Sequence, residues 1–188
     1  MNVFVMLLHS PMVNRKGEEV TTAVTNLDIH DIARSCKTYG VTRYFIVNPE
    51  EKQKQLVGQI LEHWNREQSE VFHPLRVKAL SQITYSLTFE EAMNDATVIC
   101  GGERPVVAMP DARPWPNTVN YKDLRAKLES GEVKNLMIVF GTGWGIAPRF
   151  FEKMDLILAP LKGRDAYNHL SVRAACAIVL DKLLGFAE

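Results

Sequence analysis

Apolar runs of strand length alternate along this chain with segments in which apolar residues recur at helical spacing. The runs at residues 3–8, 41–47, 77–80, 98–100, 106–109, 136–140 and 156–159 are short and mostly built from Val, Ile, Leu and Met. Their near-continuous apolar character suits strands covered on both faces. The alternation therefore predicts an α/β fold, a parallel sheet with helices packed on either side.

The intervening segments carry their own start and stop signals. Over residues 28–39 the stripe Ile29, Ile32, Ala33 and Cys36 predicts a helix that Gly40 ends in a left-handed conformation, with Arg34 pointing off the stripe. Asn48-Pro49-Glu50-Glu51 predicts a second start, with Asn48 as cap and Leu56, Ile60, Leu61 and Trp64 as the buried stripe. Thr88 with Glu91, and Asn120 with Asp123, predict two more capped starts. The last helix, over residues 170–184, carries Val172, Ala175, Cys176, Val179 and Leu183 on one side, and Ala174 and Ile178 widen that face. A helix so apolar is buried deeply or lies at a subunit interface. The proline-dense stretch 109–116 predicts an ordered or binding loop. No repeat or flexible linker interrupts the pattern, so one domain over residues 1–188 is expected.

Composition narrows the partners. Lys and Arg number 22 against 22 Asp and Glu, so the net charge is zero and any nucleic-acid surface must be local. Arg113, Arg149, Lys162 and Arg164 are the candidates for such a basic rim. The apolar start lacks a basic leader and runs into His9, Ser10 and Pro11, which reads as a first strand and not as a signal peptide. Cys36, Cys100 and Cys176 are far apart and form no C-x-x-C pair, so a reducing, cytoplasmic setting is expected. His9, His30, His63 and His73 show no ligand spacing, and no metal site is expected.

The clearest chemical feature is the strand Leu136-Met137-Ile138-Val139-Phe140 running into Gly141-Thr142-Gly143-Trp144-Gly145. Glycines there let a ligand approach the backbone, although a tight structural turn needs them equally. The dinucleotide fingerprint fails at Ile146, and no Gly-Lys-Ser/Thr follows to make a phosphate loop, so a nucleotide-binding α/β protein is disfavoured. A second loop, Pro160-Leu161-Lys162-Gly163-Arg164-Asp165, leaves the next strand, and Tyr167-Asn168-His169-Leu170-Ser171 opens the final helix. Two loops at the carboxyl ends of parallel strands form the crevice in which such sheets bind ligands.

Taken in order, these residues resemble the SPOUT superfamily of RNA methyltransferases, in its SpoU branch, and within it a small bacterial group. The first motif corresponds to Asn26, Ile32-Ala33-Arg34-Ser35 and Tyr39-Gly40. Phe89-Glu90-Glu91-Ala92 and the strand ending in Ala112-Arg113 follow, then Val139 through Gly145, then Pro160-Leu161-Lys162-Gly163 with Asn168 and Ser171. Two departures stand out. The second motif has Thr142, Gly143 and Trp144 where the branch carries a glutamate, and the third has an extra residue between Asn168 and Ser171.

The resemblance implies a three-layer fold whose segment from about residue 136 onward, to 188, threads into a deep trefoil knot, a rare exception among chains. It implies S-adenosylmethionine bound in that knot by Phe140, Gly141, Leu158 and Leu161, by the turn Thr142, Gly143, Trp144 and Gly145, and by Ala159 and Gly163. Further contacts would come from Ala108, Met109 and Pro110 and from His169, Leu170 and Ser171. It implies a homodimer acting on tRNA or rRNA, with methyl transfer to a ribose 2′-hydroxyl. Arg34 would orient a phosphate and stabilise the developing alkoxide across the dimer, a role set against that of a solvated helix arginine. Asn26, Asn168 and Ser171 would hold the loops or the ribose by hydrogen bonds, Asn26 having a plain turn role as the alternative. The rival readings are methylation of a base nitrogen, with Asp165 as base, and a knotted RNA-binding module without turnover, for which the missing glutamate argues.

Overall fold

The structure, a computed structural model, describes residues 1–165 and 167–186, apart from the side chains of Glu67, Gln68 and Glu70. Residue 166 and residues 187–188 of the expected domain lie outside that description. In chain order the elements are β1 (Asn2–Leu8), a hairpin of β2 (Met12–Val13) and β3 (Glu19–Val20), α1 (Asn26–Thr38), β4 (Arg43–Val47), α2 (Glu51–Trp64), α3 (Glu67–Phe72), α4 (Pro74–Leu80) and β5 (Ile83–Ser86). There follow α5 (Phe89–Ile99), β6 (Val106–Pro110), α6 (Tyr121–Glu129), β7 (Asn135–Phe140), a 3₁₀ turn (Pro148–Lys153), β8 (Leu156–Leu158) and α7 (Val172–Leu184).

The main sheet has the order β5-β4-β1-β7-β6-β8, and every pairing in it is parallel. The order turns back between β1 and β7, where Leu7 lies opposite both Phe140 and Ile46. Alternate side chains of β1 feed two cores, as period-2 geometry requires. Val3, Val5 and Leu7 pack with Ile29 and Ile32 of α1 and Val179 and Leu183 of α7. Phe4, Met6 and Leu8 pack with Phe89, Ala92 and Met93 of α5 and with Phe150 of the 3₁₀ turn. Each such fully buried side chain contributes roughly 1.5–3 kcal/mol of hydrophobic stabilisation. The α/β/α layering expected from the pattern is thus present.

Local details depart from expectation where short apolar runs are ambiguous. Residues 77–80 are not a strand but the end of α4, which Pro74 opens at its first turn. Residues 98–100 are the last turn of α5 and its cap, capped at the start by Thr88 and ended by Gly101 and Gly102 at positive φ. Runs of three or four apolar residues fit a helix turn as well as a strand. The strand is instead β5, which follows α4 directly. The second helix starts later than its asparagine signal suggested: Glu50 is its cap, while Asn48 is buried beneath the sheet edge. Val57 is its buried residue, Leu56 is exposed, and Ile60, Leu61 and Trp64 are partly buried. The first helix begins two residues earlier, capped by Thr25, and the Asn120 and Ser171 caps accept from Asp123 N and Ala174 N.

Candidate functional site

A cleft of about 870 Å³ opens where the carboxyl ends of β7 and β6 meet the start of α7 and the loop before α1. One wall is the glycine turn after β7. A Cβ on Gly141 would lie 2.7 Å from Ile146 Cγ1 and 3.3 Å from Ile146 N, so the turn folds this tightly only with glycine there. Gly143 and Gly145 hold φ of 60° and 105°, in the left-handed region that side chains avoid. The β2–β3 hairpin braces the turn from outside, with Val13 N donating to Gly145 O and Trp144 N to Val13 O. Trp144 is left 64% exposed at the rim.

The facing wall comes from the loop after β6 and the start of α7. The Asp111 carboxylate accepts from Arg113 N at 2.8 Å, Arg113 Nε at 3.0 Å and Arg113 Nη2 at 2.7 Å. The guanidinium so held stands 5.1 Å over the Trp115 ring, and a Cβ on Gly145 would come within 3.2 Å of it. Asn168 Nδ2 donates to Ala112 O, tying the segment before α7 to this loop. At the first turns of α1 and α7, Arg173 Nη1 donates to the buried Asp28 at 2.9 Å and its Nε lies 3.5 Å from Asp31. The other Asp28 oxygen accepts from the Thr25 hydroxyl at 2.6 Å. Asp28, Arg173, Asp111 and Arg113 all line the cleft.

Hydroxyl groups complete the surface. Thr22 and Thr142 share a hydrogen bond of 2.5 Å, and Thr22 Oγ1 lies 3.0 Å from Nδ1 of the fully buried His9. Burial pushes the His9 imidazole down to about 4, Asp28 opposing this more weakly, so the ring is neutral at pH 7. The Tyr121 hydroxyl, pushed up to about 12 by burial, lines the cleft and has no hydrogen-bond partner in the protein. A buried donor of this kind carries a cost unless a ligand acceptor meets it.

Of the residues expected from sequence to hold a cofactor, the cleft brings together Met109, Pro110, Phe140, Gly141, Thr142, Gly143, Trp144, Gly145, Leu161, His169, Leu170 and Ser171. Asn168 joins them. Ala108 and Leu158 are fully buried in the core behind it, and Ala159 and Gly163 do not line it. Arg34 is exposed on α1, outside the cleft of its own chain, and Asn26 lines a second, neighbouring cleft. Of the expected basic rim, Arg113 is at the cleft, while Arg149 pairs with Glu19 and Lys162 and Arg164 lie exposed. Asp165, exposed, accepts from Tyr167 N. Thr22, Thr25, Asp28, Tyr121 and Arg173 escaped the sequence reading. The one available signal was their place beside helix starts. No group of three or more His, Cys, Asp or Glu is placed to hold a metal among the described residues, and no helix there is long and apolar enough to cross a membrane.

A family model described as SAM-dependent RNA methyltransferase matches residues 2–185. A protein of Aquifex aeolicus is 37% identical over 182 residues, covering 97% of this chain and 88% of that one. A protein of Oleidesulfovibrio alaskensis named tRNA (guanine-N(1)-)-methyltransferase is 39% identical over 186 residues, 99% of this chain. The chain spans only 43% of that relative's length. Among solved structures, the fold resembles TrmJ from Z. mobilis, with a TM-score of 0.62 at 14% identity, over 100% of this chain and 71% of that one.

Proposed function

Since the chain belongs to the S-adenosylmethionine-dependent RNA methyltransferase family, we propose that its cleft serves transfer of a methyl group to a ribose 2′-hydroxyl of tRNA or rRNA. The volume suits a ligand of this size, and the lining is mainly apolar with a few placed polar groups, as small-molecule sites are. The glycine turn offers backbone to the adenine end, and the unpartnered Tyr121 hydroxyl offers a donor. When bound, the cofactor supplies an activated methyl group on a sulfonium centre. The protein's part is to position the acceptor and to stabilise the charge that develops on it.

The state of the cleft carboxylates carries the choice of acceptor. Asp28 is tied to Arg173 and Thr25, and Asp111 is chelated by Arg113. A ring nitrogen is best served by a free carboxylate that takes its proton. What this cleft turns toward a substrate is guanidinium and helix N-terminus, which stabilise an alkoxide. In this reading Arg173 holds the 2′-oxygen as its proton leaves to water, and Ser171 and Asn168 fix the loop that carries the ribose. The segment from residue 136 onward is knotted. The enzyme is a cytoplasmic homodimer whose exposed Ile178 on α7 lies in the interface and whose Arg34 reaches the partner protomer's cleft. The guanine named for the Oleidesulfovibrio relative belongs to a chain of which this one matches less than half.

Labelled methyl transfer followed by alkaline digestion tests the acceptor. A methylated 2′-hydroxyl blocks cleavage of its phosphodiester, so the label is expected in alkali-resistant dinucleotides. Label recovered in a methylguanine mononucleotide overturns the reading. Arg173→Lys, which keeps the charge but not the fork, should lower kcat about 100-fold while the cofactor Kd holds within a few-fold.

A further inference from the structure

A second cleft, of about 570 Å³, lies on the other side of the first turn of α1, between α1, α2 and α4. The two clefts share that turn as a wall. Thr25 and Asp28 face the first, whereas Asn26, His30 and Asp31 face the second. Arg173 spans them, pairing with Asp28 on one side and lying 3.5 Å from Asp31 on the other. Trp64 forms the base of the second cleft. The Arg76 guanidinium sits 5.0 Å over its ring, and the His30 imidazole meets it edge-on at 5.4 Å. Gln59 and Asn26 place exposed amides at the mouth, and His30 Nδ1 is buried without a partner.

We propose that this cleft binds one unpaired nucleotide of the substrate RNA, next to the one that is methylated. The proposal rests on the family's action on RNA. Flat rings and a stacked guanidinium offer a base its π-faces, amides and an open imidazole nitrogen match base edges, and Arg76 with Arg34 nearby on α1 complements the backbone charge. The shared wall gives the reason for pairing the sites: a strand that crosses the first turn of α1 presents successive nucleotides to the two clefts. His30 stays neutral there, because burial first and the cations Arg76 and Arg34 next outweigh Asp31 in pushing it down. It therefore offers an acceptor as well as a donor.

Gln59→Ala and Arg76→Gln, alone and together, test this with a fluorescein-labelled oligoribonucleotide of mixed sequence and a counterpart with abasic riboses. The double variant is expected to weaken anisotropy-measured binding of the intact oligomer about 10-fold, the scale of one lost base-stacking contact. Calorimetric affinity for S-adenosylmethionine and the melting temperature should not move. On the abasic oligomer, wild type and double variant should bind alike. Arg76→Lys keeps the charge and loses the planar stack, so it should behave like Arg76→Gln. Unchanged affinity for the intact oligomer, or an equal penalty on both oligomers, overturns the proposal. A change of sedimentation mass in the double variant would assign the cleft to a second copy and also overturn it. Should wild type bind the oligomer through this cleft but methylate no RNA ribose, the reading of the first cleft fails and this one stands.

Discussion

Two strands flank β1, and they are finished in opposite ways. β4 runs into Asn48, fully buried, whose Nδ2 donates to Thr22 O at 2.9 Å and whose Oδ1 accepts from Glu50 N at 2.9 Å. The Tyr85 hydroxyl caps the same turn by donating to Asn48 O at 2.8 Å. Every polar group named there has a partner inside the protein. β7 runs instead into glycines, with Trp144 exposed and an unpartnered Tyr121 hydroxyl in the adjoining wall. Equivalent positions on one sheet thus separate a turn that closes structure from a turn that awaits a ligand. The difference lies in where the polar groups find partners, since the strands feeding both are equally buried.

The sharpest way to break this contrast is to close the β7 turn. In Gly141→Val the new Cβ would meet Ile146 Cγ1 at 2.7 Å, and the added methyls force the turn outward. Titration calorimetry should find affinity for S-adenosylmethionine reduced about 100-fold or more, the equivalent of the 1–3 kcal/mol that overpacking costs together with lost backbone contacts. Undiminished affinity would place the cofactor elsewhere.

The converse change opens the β4 turn. Asn48→Ala leaves Thr22 O and Glu50 N without their buried partner, which should lower unfolding free energy by about 2 kcal/mol in urea titration. Cofactor affinity should change only a few-fold, because Asn48 does not line the cleft. An affinity loss as large as that of Gly141→Val would dissolve the distinction between the two turns.

This contrast explains what the sequence could and could not disclose. The strands β1, β4, β6 and β7 and the glycine turn were legible because each is a contiguous signal: an apolar run, a cap, a cluster of glycines. α4 and the end of α5 were misread because Val77-Lys78-Ala79-Leu80 and Val98-Ile99-Cys100 are too short to show a period. Asn48 looked like a helix cap because its local neighbours match one, and only the fold reveals that Thr22 O claims its amide. The Asp28–Arg173 pair joins residues 145 apart in sequence. No local pattern announces a contact made by bringing the first turns of two distant helices together.

A smaller effect tests the strand between the two turns. β1 ends at His9, whose ring is fully buried and linked through Thr22 to Thr142 in the cleft. Its pKa falls from the ordinary 6.5 to about 4 through desolvation. Above pH 6.5 the ring is neutral in folded and unfolded chains alike, and it contributes no pH dependence. Between 6.5 and about 4 the unfolded chain takes up a proton that the folded chain refuses, so the unfolded state gains and stability falls. At about 1.4 kcal/mol per unit, wild type should lose about 2 kcal/mol of stability on going from pH 7.5 to pH 5. Urea unfolding of wild type and His9→Gln at both pH values isolates the term, since glutamine keeps a hydrogen-bonding group toward Thr22 but cannot titrate. Equal losses in the two proteins would mean that His9 is solvated and that the hydroxyl chain does not extend from the cleft into a dry core.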